Sequence, residues 1–422
     1  MNKLKVTING TGFAGDYTAQ VYGMIPHKNG VEIDLAGVCS GHLENAEAFA
    51  AKHGIGGAFA NHAEMVQQVR PDIDNIACAN YAHGPYTIEA AKAGAKVIVL
   101  EKPPVIWPGH GEERQADGET KKRETMDYLA TVLDAVREAG SKLLYAEDFV
   151  YFDGVKGLVE VMVEATDRDK GKILYQRGIC AHQGSHAPAY DTPSKSGGGA
   201  LFNKACHPLG PILYIKQVEG ILKNGIPIRP KKISAVALQI LKHQPESARE
   251  HFRVMQNVDD FGRVTIVFDD DTVAEVLGYD LSISGIRNEL SIISDFGQYD
   301  VRINPNNSNE IFLPDEMPSG DILFREKLPT ARGTSFPMPN QFHAHGYVNE
   351  MNDAVDCALN DDRFPQSGAM IAWDTMAVLM ASYESSEKGA QFVDISDYAE
   401  SRSFNANEIP NPSDFGAVFQ RQ

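Results

Sequence analysis

Apolar positions in the first third of the chain alternate between two spacings. Leu4–Asn9, Val31–Cys39, Ile73–Ala79, Lys96–Leu100 and Lys142–Tyr145 are short apolar runs of strand type. Between them, helical spacing runs from Phe13 towards Pro26, over Leu43–His53, from Asn61 onward, over Tyr86–Ala93 and over Arg123–Glu138. In the last of these Met126, Leu129, Val132, Leu133 and Val136 share a face. Gly54, Gly94 and Gly140 stand where helices should end, and Asn61-His62-Ala63-Glu64 has the form of a capping box. This β-α-β alternation predicts a parallel, doubly wound sheet. Trp107–Lys121 interrupts it with Pro, Gly and charge; it is too polar for a core and reads as a surface loop or a lid.

After about residue 147 the spacing changes. Lys172–Arg177, Ile233–Ile240, Arg263–Phe268, Thr272–Tyr279 and Glu289–Ser294 read as strands, with Asp269-Asp270-Asp271 as a hairpin turn. A mostly antiparallel sheet with a few helices follows from that pattern. Met370–Tyr383 is apolar almost all round and predicts a buried helix, while Asn304–Asn340, rich in Pro and Asn, reads as a long excursion. The break divides the 422 residues into 1–147 and 148–422.

Charge narrows the partners. Acids number 57 and bases 39, for a net charge of −18, and residues 346–422 hold 13 of the acids against 4 bases. That surplus argues against nucleic acid and anionic membranes, but not against an anionic small molecule met by local donors. Five scattered cysteines without a CxxC pair fit reduced thiols and a cytoplasmic location. No run of 18 apolar residues and no leader-like N-terminus points to a membrane or to secretion.

Candidate chemistry begins at Gly10-Thr11-Gly12-Phe13-Ala14-Gly15, between the first strand and the first helix. In that context the glycines permit a tight turn, close approach of a pyrophosphate, and helix–strand packing, with the anion on helix N–H groups. After the second strand, where NAD enzymes usually carry Asp or Glu for the ribose, this chain has Ser40-Gly41-His42. No carboxylate opposes a 2′-phosphate, yet no Arg or Lys follows; NAD or NADP is expected, with a lean to NADP. Glu101-Lys102-Pro103-Pro104 leaves the fourth strand at the edge where such sheets bind ligands, and a lysine there can stabilise a developing alkoxide. Asn80-Tyr81-Ala82-His83 lies on the same edge. Asn80 suits a nicotinamide ribose, and His83 is counted with it although its position also suits a helix start. A second cluster, Gly197-Gly198-Gly199 through Asn203, Lys204 and His207, spaces Asn203 and His207 four apart, one above the other on a helix face. His207 can then accept a hydroxyl proton. His182, His186, His343 and His345 invite a zinc site, but no third ligand stands at a recognisable spacing, and no metal is expected.

These segments together resemble the glucose–fructose oxidoreductase / inositol dehydrogenase (Gfo/Idh/MocA) family. His345-Gly346-Tyr347 through Glu350, and Ala381–Ser386 with Gly389, also look like family segments. The resemblance implies an α/β fold: an NAD(P)-binding Rossmann domain over 1–147 and a substrate-binding α+β domain over 148–422 with an open, mostly antiparallel sheet. It implies hydride transfer between a secondary hydroxyl of a sugar or cyclitol and the nicotinamide. Lys102 and His207 stand at the family's catalytic lysine and histidine. Asn203 stands where most members have Asp, and would orient substrate by hydrogen bonds; Lys204 is unusual there. Gly10, Thr11, Gly12, Phe13, Ala14, Gly15, Ser40, Asn80, His83, Glu101 and Lys102 form the expected cofactor set. A homodimer or homotetramer through the sheet face is implied as well. Two alternatives stay open: an NAD-dependent, redox-neutral glycoside hydrolase and a non-catalytic sugar-sensing regulator.

Overall fold

The computed structural model describes residues 3–109, 115–166, 168–185, 187–283, 285–304, 311–313, 315, 332–335, 341–404, 408–411 and 414–415. Its first sheet comprises β1 (Lys3–Asn9), β2 (His27–Lys28), β3 (Val31–Cys39), β4 (Ala58–Phe59), β5 (Ile73–Ile76), β6 (Val97–Glu101) and β7 (Lys142–Ala146). The order is β2-β3-β1-β5-β6-β7 with β4 on β3, and every pairing except β2–β3 is parallel. Residues Val97–Leu100 of β6 are all buried, as expected of a strand covered on both faces. The connecting helices are α1 (Phe13–Met24), α2 (Leu43–His53), α3 (His62–Val69), α4 (His83–Lys92) and α5 (Gly118–Glu138). Gly54 closes α2 in the left-handed conformation, and the Asn61 side chain accepts the Glu64 N–H at 2.9 Å to open α3.

The second half contributes α6 (Asp153–Thr166), β8 (Ile173–Ala181), α7 (Pro193–Ser196), α8 (Ala200–Asn203), α9 (Cys206–Asn224) and β9 (Pro230–Leu238). After them come α10 (Glu246–Arg249), β10 (Phe261–Phe268), β11 (Val273–Tyr279), β12 (Arg287–Ser294), β13 (Gln298–Asn304), β14 (Ile311–Leu313) and β15 (Gly333–Ser335). The chain continues through α11 (Gln341–Ala344), α12 (Tyr347–Leu359), α13 (Ala369–Glu387), β16 (Val393–Asp394) and α14 (Ser396–Ser401). The order β13-β12-β8-β11-β10-β9-β16 is antiparallel except for the β8–β11 pair, so the expected open antiparallel sheet is present. In β10 and β11, buried residues alternate with half-buried or exposed ones, leaving one face uncovered.

Two helices bring the halves together. The buried α13 packs on β9, α9, α5 and β7, and α12 lies against α1, β5, β6 and β7. The polar stretch expected at Trp107–Lys121 departs from its reading: Trp107 is buried with its indole N–H on Glu124 at 2.9 Å, and α5 already starts at Gly118, capped by Asp117. One hydrogen bond satisfies the indole, so a residue inside a polar sequence joins the core. Most of the Asn304–Asn340 excursion lies outside the described residues. Among the described residues, no helix is long and apolar enough to cross a membrane.

Candidate active site

The glycine turn follows β1, the strand where the order of the first sheet reverses, at its carboxyl edge. Gly10 has φ +122°, and a Cβ on it would stand 2.2 Å from the Ala77 carbonyl oxygen. A Cβ on Gly15 would stand 2.0 Å from the Gly10 carbonyl oxygen, so α1 seats on the turn only through glycine. Gly12, at the N-cap of α1, has nothing within 4 Å of its Cβ position and no side chain capping the helix. Turn and helix start therefore fit an approaching pyrophosphate, with first-turn N–H groups facing it. The Thr11 and Ser40 hydroxyls lie 3.4 Å apart, bringing the segments after β1 and β3 together.

The next edge position is structural. The Asn80 amide donates to the Ser196 carbonyl at 2.8 Å, tying the end of β5 to the glycine run of the second half. His83 opens α4 and has no exposed surface. Its Nδ1 is 2.7 Å from the Pro103 carbonyl oxygen and its Nε2 is 3.3 Å from that of Cys78. Burial pushes its pKa down, so a neutral ring holds the segment after Lys102. It does not reach the cleft, which corrects its place in the cofactor set.

Lys102 and His207 do meet one cavity of about 460 Å³, which opens beside Phe13 and Ala14 of the glycine turn. Tyr17 and Glu101 line it from the first half, and Asp148, His182, Lys204 and Asn288 line it from the second. Burial alone would lower the Lys102 pKa; the charges of Cys206, Glu101, Glu147 and Asp148 outweigh it and hold the ammonium above its usual range. Glu101 accepts a short hydrogen bond from the Tyr17 hydroxyl, and burial raises both groups. His207 begins the first turn of α9, its Nδ1 3.0 Å from Oε1 of Glu147 and 3.7 Å from Oδ1 of Asp148, with its ring stacked on Phe149 at 5.0 Å. A carboxylate oxygen, the Cys206 sulfur and a His207 nitrogen lie within 4.8 Å of one another, a donor set that could take a metal ion. The Lys102 ammonium already faces these acidic groups, and a second cation beside it would be repelled.

Asn203 does not share the cavity. The expected continuous helix is broken: α8 ends at Asn203, Lys204 departs to φ −113° and ψ −47°, and α9 starts at Cys206. Asn203 itself is buried. Its amide donates to the carbonyls of Gly198 at 2.7 Å, Gly199 at 3.3 Å and Ser196 at 3.4 Å, pinning the glycine turn. Lys204 faces the cavity instead, with Nζ 4.8 Å from the centre of the Tyr190 ring. Of the noted histidines, His182 and His345 line the cavity, and His186 lies outside the described residues. The sequence reading missed Glu147, Asp148 and Tyr17. The rule that singled out Lys102, a polar residue just past a strand at the carboxyl edge, also applies to Glu147-Asp148 after β7.

Comparisons with known proteins match the first part of the chain to a family model and its whole fold to solved structures. Residues 4–125 match the model of the GFO_IDH_MocA family, described as an oxidoreductase family with an NAD-binding Rossmann fold. This match spans the first sheet from β1 to β6 and the start of α5. A curated relative, the D-glucoside 3-dehydrogenase of Escherichia coli (strain K12), is 30% identical over 110 residues, which are 26% of this chain and 30% of that protein. The chain thus matches less than a third of that relative's length. Over the whole fold, GenD2 from gentamicin A biosynthesis, solved in complex with NAD, superposes with a TM-score of 0.73 at 19% identity, covering 94% of this chain and 97% of that one. Scyllo-inositol dehydrogenase from Lactobacillus casei, solved with NAD(H) and scyllo-inositol, gives 0.67 at 16% identity, covering 94% and 100%. At these identities the superpositions show that the chain shares their fold.

Proposed function

We propose that the chain is a dehydrogenase that moves hydride between a secondary hydroxyl of a sugar or cyclitol and a nicotinamide dinucleotide. The observation that carries this reading is the convergence of Lys102 and His207 on one cavity beside the glycine turn. Residues 1–147 are assigned to the dinucleotide and 148–422 to the substrate. When bound, the nicotinamide supplies the hydride acceptor. His207 takes the hydroxyl proton, and the Lys102 ammonium stabilises the alkoxide as it forms. Lys204, His182 and Asn288, which line the far wall, are assigned to substrate in place of Asn203. For the cofactor, the family description names NAD, and nothing further supports the lean to NADP. The partly uncovered second sheet supports a homo-oligomer formed across that face.

The substrate side rests on what the relatives act on by name, a D-glucoside and an inositol. A panel of sugars, glycosides and cyclitols, each with NAD and NADP, followed by absorbance of the reduced nicotinamide, identifies the pair. With any substrate found, Lys102→Met is expected to lower kcat about 10²-fold or more while the chain still binds dinucleotide. Unchanged turnover in that variant sinks the mechanism.

A further inference from the structure

His207 takes its Nδ1 partner from another element. Glu147, the first residue past β7, reaches across to α9 and places Oε1 3.0 Å from Nδ1. The path is open because residue 210, about one turn further along α9, is glycine. A Cβ there would stand 2.3 Å from Cγ of Glu147 and 3.4 Å from its Cβ and Cδ. Gly210 lies inside the helix without a positive φ, so its backbone does not require glycine. A glycine there costs about 0.5–1 kcal/mol relative to alanine, and the space it leaves is filled by Glu147. The next two residues complete the support, with Asp148 Oδ1 at 3.7 Å and the Phe149 ring stacked on the imidazole. Asn203, by contrast, is engaged with the glycine turn.

We infer that Glu147 is a positioning residue that holds the proton of His207 on Nδ1, so that Nε2 accepts the substrate proton, and that Gly210 is the space that admits it. The hydroxyl O–H bond breaks, its proton passes to Nε2, and the resulting imidazolium keeps Nδ1–H on the Glu147 carboxylate. The groups facing Glu147 are Asp148, Cys206, Lys102 and Glu350. Burial first, and then the Asp148 charge, pushes the Glu147 carboxyl well above its usual range, so the Glu147–His207 pair binds the transferred proton together. The kinetic part of this inference rests on the dehydrogenase reading above; the position of the proton does not.

Ring ¹⁵N NMR of the full chain labelled at histidine, with the His207 signals identified by their loss in His207→Asn, tests it without a substrate. The wild-type ring is expected to carry its proton on Nδ1 when neutral. Glu147→Gln removes the carboxylate that favours the imidazolium, and should lower the apparent His207 pKa by about one unit or more. With a substrate in hand, the acid limb of kcat/KM should move to lower pH in the same variant, with kcat down about 10²-fold and dinucleotide affinity retained. A wild-type ring protonated on Nε2, or a folded Glu147→Gln with an unshifted His207 titration, overturns the inference. Should Glu147→Gln not fold, Glu147→Asp, one methylene shorter, is expected to shift the titration in the same direction, and an unshifted one refutes it equally. A chain inactive on every polyol but with the Nδ1 proton and the shift would retain Glu147 and lose only the dehydrogenase reading.

Discussion

Asn203 shows how one residue's surroundings decide its role. Its position suggests a substrate contact, yet its amide hydrogens point at three backbone carbonyls of the turn that connects α7 to α8. An aspartate in its place has no hydrogen to offer and would set a buried charge against carbonyl oxygens. Asn203→Asp is therefore expected to destabilise the chain by about 3 kcal/mol instead of adding a catalytic carboxylate. Thermal unfolding should show a clear loss of Tm; equal or raised Tm with raised activity would restore Asn203 to the site. The residues legible in the sequence were those whose chemistry a local motif dictates: Gly10 and Gly15, each tied to a backbone distance, Gly12, at the open start of α1, and Lys102, tied to a strand end. Asn203 and His83 misled because a helix assumed to be continuous breaks at Lys204, and because a histidine at a sheet edge faces inward as readily as outward. Glu147 was hidden because its partner lies 60 residues away on another element.

Among elements, the buried network joining β1, β5, α3 and α4 carries a pH-dependent share of stability. His62 lies between Asp74, 2.8 Å from its Nε2, and Glu89, 2.7 Å from its Nδ1, while the Thr7 hydroxyl donates to Asp74 at 2.6 Å. Burial works against the charged ring, but Asp74 and Glu89 outweigh it, and the His62 pKa is raised. The folded chain therefore holds this proton more tightly than the unfolded one. The contribution is complete below the unfolded value of about 6.5 and is lost as pH rises through the folded value. His62→Gln should cost more Tm at pH 6 than at pH 9, and a gap independent of pH would show that the ion pairs contribute nothing. Elements were legible to within a few residues wherever a long apolar run or a helix-ending glycine marked them, as in β3, α2 and α13. Boundaries slipped where side chains override composition: α5 begins before Arg123 because Asp117 caps it, and Trp107 is buried through Glu124.

At the scale of the whole molecule, the C-terminal helices decide how the halves meet, and α12 carries a buried acid into the joint. Tyr347 of α12 stacks on Tyr17 of α1 at 4.4 Å, with Glu101 bonded to the Tyr17 hydroxyl. Three residues further on, Glu350 is 1% exposed, and neither of its carboxylate oxygens has a hydrogen-bond partner among the described residues. Burial, followed by the charges of Asp148, Glu101 and Asp353, pushes its carboxyl well above the usual range. An unfolded glutamate ionises near 4.3, whereas the folded chain keeps this proton to higher pH. Folding thus takes up a proton in that interval, and stability declines as pH rises from about 4.3 through the folded value. Glutamine matches the protonated acid in shape and cannot ionise. Glu350→Gln is therefore expected to gain Tm over the wild type, by little at pH 5 and by more at pH 8, with activity the quantity at risk if the acid also serves the neighbouring cavity. Thermal melts across that range decide it, and a variant that loses Tm at pH 8 would mean that the ionised Glu350 is paired in solution.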